Sequence, residues 1–386
     1  MIALGQCGKC CAIVQLTKKI LPLIANDFRC LVQQSASPSA VAICGSKVTR
    51  NISTGKFRNL NGILTDPENK GDRQTGVNFD TIGSWNNRIE MPVSIKTSIE
   101  KGMLIPEIPI KDVGTKSLLG HRKENQDRFI VKKLTENILC FAIFDGHGGS
   151  AAVDFVHQNI EHHLLYWLNR TDKLSDVLHN TFADVNDLLS EHLAFAAEGL
   201  TGTTATVCLL RNGTELVVAN VGDSRAIICR DGAATRLSKD HTPEDCNEIA
   251  RIEEAGGRII HNSQGVANVN GRLSMTRSIG DFELKPYGVT AEPSVEPFKV
   301  KHGKDSMLVL VTDGLSFVLN DQELIDIIGS CETPIEAASV ITDQALQFGS
   351  EDNATAVIVP FGAWGKFRNG GSIPYRFGRH LSSQRY

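Results

Sequence analysis

The pattern of apolar and polar positions changes near residue 113, where short strands and amphipathic helices begin. Apolar residues that recur every three or four positions predict one helix with a single buried face: Val153, Val156, Ile160, Leu164 and Leu168. The same pattern predicts a second helix over residues 174–192. The apolar runs at 138–143 and 309–311 are short and continuous, as in buried strands. The chain beyond residue 113 therefore combines helices with strands.

Three further strands are predicted in close succession, at residues 203–211, 215–221 and 225–230. Asn212-Gly213 joins the first two as a tight hairpin, and Gly222-Asp223-Ser224 turns the chain before the third. Consecutive hairpins produce an antiparallel sheet, so a doubly wound parallel fold is disfavoured. The fold class that follows is α+β.

The later part of this region is predicted to alternate between helices and one long loop. Thr242-Pro243-Glu244 has the residue types of a helix start, and Gly256-Gly257 ends that helix. Residues 261–290 lack periodicity and predict a long functional loop. Two helices and a final strand complete the prediction: 321–329, 334–348 and 354–360.

Residues 1–60 have the composition of a targeting leader. Their charged side chains are one acid, Asp27, and a set of bases: Lys9, Lys18, Lys19, Arg29, Lys47, Arg50, Lys56 and Arg58. A basic, acid-poor leader with Ser and Thr in its later part is typical of a mitochondrial transit peptide. Lys18 and Lys19 interrupt the only apolar stretch, which disfavours a secretory signal, and a disordered solvated N-terminus is the alternative. The predicted location is the mitochondrial matrix.

Composition divides the rest of the chain into three parts. Residues 61–112, rich in Pro, Gly and Asn, are predicted to be a linker and docking segment, in which the Ile/Pro alternation of 104–110 packs on the domain surface. Residues 113–361 are the predicted catalytic domain, and 362–386 a basic tail. The net charge of -4, with no basic block in the folded part, argues against a nucleic-acid binder. No apolar run is long enough to span a bilayer.

The cysteines are predicted to be reduced in the folded part. Cys140, Cys208 and Cys229 lie in strand-like apolar runs, where a thiol behaves as a small hydrophobe. The leader holds Cys7-x-x-Cys10-Cys11, which suits zinc binding or lipid attachment, but no matching ligand pair follows it. Removal with the leader is the simpler interpretation.

Three carboxylates stand at the ends of predicted strands that are far apart in sequence. Asp145 and Asp313 follow the apolar runs in Phe-Asp-Gly-His-Gly-Gly and Thr-Asp-Gly, and Asp352 precedes the final strand. Asp-Gly pairs are common in ordinary turns. Three such acids, all oxygen donors and without sulfur or paired histidines, instead suit Mg²⁺ or Mn²⁺ and not structural zinc. The sequence therefore predicts a hydrolytic metal centre assembled by tertiary folding.

Two further side chains near these turns are candidates for a role in catalysis or substrate binding. His147 lies two residues beyond Asp145, so in extended backbone both face the same side, and it is a candidate general acid. Arg122 offers a planar fork of donors that matches a phosphate group. A lone histidine or arginine is more often a surface group. The catalytic interpretation of these two residues therefore depends on the motifs around them.

Taken together, the motifs resemble the metal-dependent protein phosphatases of the phosphatase 2C family. The resemblance covers residues 113–361 and rests on seven segments in the family's order: Arg122 with Asn125-Gln126-Asp127, residues 144–149, 202–205, 219–225, 273–281, 312–314 and 352–355. It implies a four-layer α-β-β-α sandwich of two antiparallel sheets flanked by helices. It also implies hydrolysis of phosphoserine and phosphothreonine in proteins by a metal-activated bridging water.

The resemblance assigns metal ligands residue by residue. Asp145 is expected to bridge two Mn²⁺ or Mg²⁺ ions, with the Gly146 carbonyl on one of them. Asp313 and Asp352 are expected to hold the other ion, and Asp223 matches a weaker third-metal ligand. In the same comparison Arg122 binds the substrate phosphate and His147 acts as the acid.

Segments partly outside the common core resemble one mitochondrial subgroup of the family. They are residues 85–89, 122–125, 269–273 and 361–366. Members of this subgroup act on the branched-chain 2-oxoacid dehydrogenase complex, so the E1 alpha subunit of that complex is the expected partner. Its dephosphorylation would relieve inhibition and promote branched-chain amino acid catabolism.

The chain departs from the common family pattern at two places. Gln126 stands where many members have Glu, and Leu315-Ser316-Phe317 stands where Trp-Asp usually follows Asp313-Gly314. The first change removes a charge near the metals, which is expected to lower their affinity. The second removes an acid near the third-metal position.

Two other functions compete with the phosphatase. The first is an inactive scaffold that binds phosphoproteins, which is disfavoured because the candidate ligands, Arg122 and His147 are all retained. The second is a hydrolase of small phosphate esters, against which the 261–290 loop and the basic tail argue weakly.

Overall fold

The computed structural model describes residues 105–194 and 201–367. The leader 1–60, most of the predicted linker 61–112 and the tail beyond residue 367 lie outside the described residues, and their assignments remain predictions. Among the described residues, no helix has both the length and the apolarity needed to cross a membrane.

The described chain contains runs of consecutive strands separated by single helices or groups of helices. The strands are β1 Gly114–Leu118, β2 Asp127–Thr135, β3 Ile138–His147, β4 Gly202–Thr203, β5 Ala205–Arg211, β6 Glu215–Val221, β7 Arg225–Arg230, β8 Ala233–Arg236, β9 Ile259–His261, β10 Ala267–Val269, β11 Ile279–Gly280, β12 Ser294–Lys299, β13 Asp305–Val311 and β14 Ala354–Pro360. The helices are α1 Ala151–Leu168, α2 Leu174–Leu193, α3 Cys246–Glu254, α4 Asp313–Ser316, α5 Asp321–Ser330 and α6 Pro334–Gln347, with 3₁₀ turns at Ile110–Asp112 and Lys285–Tyr287.

Two antiparallel sheets carry most of these strands. One has the order β1-β14-β13-β7-β8, and the other has the order β11-β4-β3-β5-β6-β12 with β2 paired to β3. A small third ribbon joins β9 to β10. The hairpin predicted around Asn212-Gly213 is present between β5 and β6, and β6 and β7 have the predicted bounds. The hairpin predicted around Gly222-Asp223-Ser224 is wrong, because β6 pairs with β5 and β12 whereas β7 pairs with β13 and β8. This turn instead carries the chain from one sheet to the other.

Alternation of side chains along β3 shows how the layers stack. Phe141 and Ile143 face the other sheet and pack with residues of β7, β13 and β14. Cys140, Ala142 and Phe144 point the opposite way and pack under α1 and α2. A third apolar cluster lies between the first sheet and helices α4, α5 and α6. The result is the predicted four-layer α-β-β-α sandwich.

The strand ends gather the acidic turns at one edge of the sandwich. Asp127 at the start of β2 lies opposite Asp145 near the end of β3. Val311 at the end of β13 lies opposite Ala356 of β14 and Arg225 of β7. The residues just beyond these strand ends are therefore neighbours although they are far apart in sequence.

Three other local expectations needed correction. Helix α3 begins at Cys246 with Asp245 as its N-cap, because residues 242–245 form a turn closed by the Asp245 N–H on the Thr242 carbonyl at 3.2 Å. The predicted strand 203–211 is interrupted at Thr204 and forms β4 and β5. The 261–290 segment includes short strands β10 and β11 in addition to irregular backbone.

The segment before β1 packs only in part as expected. Ile108 is buried in the apolar layer between the two sheets, whereas Ile105 and Ile110 remain exposed. The thiols of Cys140, Cys208 and Cys229 are free and buried, which agrees with the prediction of reduced cysteines. Burial raises the pKa of the Cys140 thiol to about 12, so this group is unreactive at neutral pH.

Candidate active site

Backbone contacts fix Asp145 at the end of β3. Its N–H donates to the Thr204 hydroxyl at 3.0 Å, and its carbonyl accepts from the Thr203 hydroxyl at 3.0 Å and from the Thr204 N–H at 2.9 Å. The next residue, Gly146, donates its N–H to the Gln126 carbonyl at 3.2 Å. Asp145 therefore sits at a turn whose main chain is held from both sides.

Asp313 begins the short helix α4 directly after β13. Thr312 precedes it and donates its N–H to the Thr355 carbonyl at 3.1 Å, which holds the turn against β14. A Cβ atom at Gly314 would lie 2.0 Å from the backbone oxygen of Asn353, so only glycine allows this approach. The Asp-Gly sequence is thus required for packing as well as for chemistry.

Asp352 lies beside Arg122 at the rim of the site. Arg122 Nη2 donates to Asp352 Oδ2 at 2.6 Å, and the Arg122 side chain is 60% exposed. The neighbouring Asn353 amide donates to the carbonyls of Leu119 and Glu124 at 2.8 and 3.1 Å. The loop that carries Arg122 is therefore tied to the start of β14, and the guanidinium remains accessible from solvent.

Asp127 belongs to the same acidic cluster, although its motif alone predicted no role for it. It is 4% exposed, and its Oδ2 accepts hydrogen bonds from Thr355 at 2.6 Å and Thr312 at 3.1 Å. Burial raises its pKa to about 7, with the charges of Asp313 and Asp352 acting in the same direction. Its place beside Gln126 in the 122–127 motif was the only signal in the sequence.

Burial and mutual repulsion together raise the pKa values of the carboxyl groups in this cluster. Burial, followed by the charges of Asp313, Asp127 and Asp223, raises the pKa of Asp145 well above its usual range. Burial and the charge of Asp313 raise the pKa of Asp223 to about 7. The pKa of Asp313 is also raised, first by burial and then by Asp352. Asp145, Asp223, Asp313, Asp352 and Asp127 thus form one electrostatically connected group.

The donor set of this cluster fits hard divalent cations. Oδ1 of Asp127, of Asp223 and of Asp313 is buried, and no hydrogen-bond partner for it is found within 105–194 and 201–367. Over the same ranges, no three His, Cys, Asp or Glu side chains converge into a complete ligand set. Mg²⁺ commonly keeps several waters and binds through one or two carboxylates, so such convergence is not required.

His147 forms a pair with Asp281, a contact that no local sequence pattern predicts. His147 Nε2 lies 2.8 Å from Asp281 Oδ2, and the Asp281 side chain is 3% exposed. Burial alone would raise the pKa of Asp281, but the hydrogen bond and charge of His147 hold it below the ordinary value. The candidate acid is therefore held by an ionised carboxylate that comes from the predicted 261–290 loop.

The two departures from the family pattern have different surroundings. The Gln126 main chain accepts from Gly146 and donates to Asn353 Oδ1 at 2.8 Å, contacts that do not depend on its side chain. Phe317, where the common pattern has an acid, is 84% exposed.

Removal of Arg122 is expected to raise the KM for a phosphopeptide by about 10- to 100-fold, because a hydrogen bond to a charged group contributes about 1.5–3 kcal/mol. Arg122→Ala should show the full effect, and Arg122→Lys a smaller one because it lacks the bidentate fork. Initial rates at saturating Mn²⁺ measure this. Lys123→Ala, at the neighbouring cation, which is also exposed, is the matched control. Equal KM values for Arg122→Ala and Lys123→Ala would contradict the assignment.

Comparisons with known proteins agree with this site. The protein phosphatase 2C family model matches residues 111–354. Protein phosphatase 1K, mitochondrial, of Xenopus laevis is 49% identical over 308 residues, which are 79% of this chain and 82% of that protein. Probable protein phosphatase 2C 59 of Arabidopsis thaliana is 39% identical over 225 residues, 57% of this chain and 69% of that protein.

Solved structures support the fold. A serine-threonine phosphatase 2C from Toxoplasma gondii superposes with a TM-score of 0.59 at 22% identity, over 64% of this chain and 94% of that one. A C. elegans sex determining protein gives a TM-score of 0.60 at 26% identity, over 64% of each chain. With the family match across most of the folded part, the chain belongs to the protein phosphatase 2C family of metal-dependent serine/threonine protein phosphatases.

Proposed function

We propose that this phosphatase works in the mitochondrial matrix and dephosphorylates the E1 alpha subunit of the branched-chain 2-oxoacid dehydrogenase complex. The observation that carries the catalytic part is the partly buried carboxylate cluster with Arg122 at its rim and His147 beside it. The mitochondrial location is supported by the basic leader and by the printed name of the Xenopus laevis relative. The substrate is supported by the segments that resemble the mitochondrial subgroup.

In this proposal Asp145 and the Gly146 carbonyl hold metal together with Asp313 and Asp352, and Asp223 contributes weakly. When bound, two Mn²⁺ or Mg²⁺ ions would supply a nucleophilic water at neutral pH and neutralise charge on the phosphoryl oxygens. Burial and mutual repulsion raise the pKa values of Asp145, Asp223 and Asp313. Carboxylates that repel one another in this way would be stabilised by bound cations.

The remaining residues bind the substrate and move a proton. Arg122 is placed to grip the phosphate, with its fork accessible from solvent and its position fixed by the loop contacts of Asn353. Water attacks phosphorus, the bond from phosphorus to the serine oxygen breaks, and His147 donates a proton to that oxygen. The products are the free serine hydroxyl and inorganic phosphate.

The test is phosphate release by the purified full chain from a phosphoserine peptide with the E1 alpha sequence. A peptide with the same phosphoserine in scrambled flanks and a small phosphate ester serve as comparisons, each with Mn²⁺ and with EDTA. The proposal expects metal-dependent release that is fastest from the native peptide. Equal rates on both peptides would refute the substrate, and faster cleavage of the small ester would favour that alternative. Peptide binding without release, by folded protein, would support the scaffold function.

A further inference from the structure

We propose that Asp281 is the positioning residue for the general acid, holding His147 through Nε2 so that Nδ1 delivers the proton to the leaving oxygen. This inference rests on the phosphatase reaction proposed above. It assigns a role to a residue on the segment between α3 and β12, which holds none of the proposed metal ligands.

The first support is the geometry of the pair. Asp281 Oδ2 and His147 Nε2 are 2.8 Å apart. This is the usual distance for a hydrogen bond in which one partner is ionised. An ionised carboxylate accepts hydrogen bonds only, so Nε2 carries the hydrogen. The other ring nitrogen, Nδ1, is buried and has no hydrogen-bond partner in the described part of the chain. The pair therefore fixes the ring and leaves one nitrogen for the reaction.

The second support is the way in which the backbone brings the two residues together. β4 lies between β3 and β11, so that Gly202 is the partner of His147 on one side and of Gly280 on the other. Asp281 follows directly, and its N–H donates to the Thr201 carbonyl at 3.1 Å. The pairing thus depends on strands of only two residues in β4 and β11.

The third support is the absence of a side chain at Gly202. A Cβ atom there would lie 2.2 Å from Asp281 Oδ2 and 2.6 Å from His147 Nε2. Any larger residue would separate the carboxylate from the imidazole. Glycine at position 202 therefore leaves the space that this contact needs.

Asp281 is also held from its own side. The Leu284 N–H donates to the Asp281 carbonyl at 2.8 Å, and Lys285 Nζ donates to the Ser278 carbonyl at 2.6 Å. The buried charge of Lys285 favours the ionised form of Asp281. A carboxylate that is buried, ionised and fixed at the backbone can orient a histidine without itself exchanging protons, as a triad carboxylate orients its histidine.

The test compares two leaving groups. A serine oxygen needs a proton as it departs, whereas a nitrophenolate departs without one, so a defect in the acid affects only the first. Asp281→Ala is expected to lower kcat for a phosphoserine peptide by about 100-fold or more. Its kcat for p-nitrophenyl phosphate and its KM for both substrates should change little. Asp281→Asn, which keeps an acceptor oxygen without the charge, should fall in between.

Further variants separate positioning from folding. Gly202→Ala keeps both side chains but forces them apart, and should show the same dependence on the leaving group. Asp305→Asn is the matched control, because it removes another fully buried carboxylate, whose partner is Arg230 at 2.7 Å. It should show no such dependence, even if it melts at a lower temperature. In a His147→Ala background, Asp281→Ala should have no further effect.

Equal losses on both substrates, or additive losses in the double variant, would overturn the role of Asp281 while the phosphatase function stands. An inactive parent enzyme would overturn the proposed function, and this inference with it. Melting curves of every variant identify those that are unfolded. If Asp281→Ala is unfolded, the leaving-group dependence of Gly202→Ala tests the role of Asp281 instead.

Discussion

Asp313→Asn is expected to lower kcat by more than about 100-fold, and at the same time to raise the melting temperature of the metal-free protein. The loss exceeds the 10- to 100-fold cost of altering residues around a metal site, because a proposed ligand itself is removed. The gain in stability follows because Asp313 raises the pKa of Asp145 and of Asp223 through its charge. Each kcal/mol of relieved repulsion corresponds to about 2–4 °C in a domain of this size.

Asp343→Asn, at an exposed acid on α6, is the control for the change of charge. Calorimetry in EDTA and in Mn²⁺ separates the two effects, because bound metal stabilises only a protein that retains its ligands. The wild type should gain more from Mn²⁺ than Asp313→Asn does. If the variant keeps wild-type activity or the same gain from Mn²⁺, Asp313 is not a ligand.

Glu248→Ala is expected to destabilise the fold by about 3–5 kcal/mol, the cost of leaving buried charges without their partner. Glu248 on α3 is 4% exposed in its side chain and accepts from Arg277 Nη2 at 2.6 Å, from Arg251 at 2.8 Å and from the Thr276 hydroxyl at 2.6 Å. These contacts tie α3 to the segment that leads to Asp281. Urea unfolding measures the loss, and Glu253→Ala, exposed on the same helix, should have little effect.

The same group gives a prediction for acid stability. Burial alone would raise the pKa of Glu248, but its hydrogen bonds to Arg277, Arg251 and Thr276 hold it well below its ordinary value. A carboxylate with a lowered folded-state pKa stabilises the protein fully above the unfolded pKa of about 4.3, and loses this contribution as the pH falls toward the folded pKa.

The difference in unfolding free energy between wild type and Glu248→Gln should therefore be constant between pH 7 and pH 5. It should shrink as the pH falls below about 4.3. A difference that grows on acidification would mean that the cluster does not favour the ionised acid.

Strands with continuous apolar sequence were predictable, and strands exposed on one face were not. β6, β7 and β14 have the predicted bounds because their side chains are buried almost throughout. β2 and β12 were missed, because their sequences DRFIVKKLT and SVEPFK mix charged residues or proline into partly exposed strands. Only pairing with β3 and β6 makes these segments strands, and pairing is a tertiary property.

The residues of the candidate site likewise divide into those with a local sequence signal and those without one. Asp145, Asp313 and Asp352 were found because each borders an apolar strand, a local signal. Asp127 and Asp281 were not assigned roles, because their importance comes from side-chain contacts between residues more than a hundred positions apart: Asp127 with Thr312 and Thr355, and Asp281 with His147. The start of α3 was misplaced for a local reason, since Asp245 caps the Asn247 N–H at 3.0 Å where Thr242 had been expected to cap.

Phosphoserine hydrolysis by this protein is expected to require divalent metal held by the half-buried carboxylates of Asp145, Asp313 and Asp352. The most direct test of this expectation is equilibrium dialysis of the full chain against Mn²⁺, with phosphate release from a phosphoserine peptide measured on the same samples. The account predicts that release rises with bound Mn²⁺ up to two ions per chain, disappears with EDTA, and is absent in Asp313→Asn, which binds less metal. Phosphate release by protein that retains no metal would contradict it.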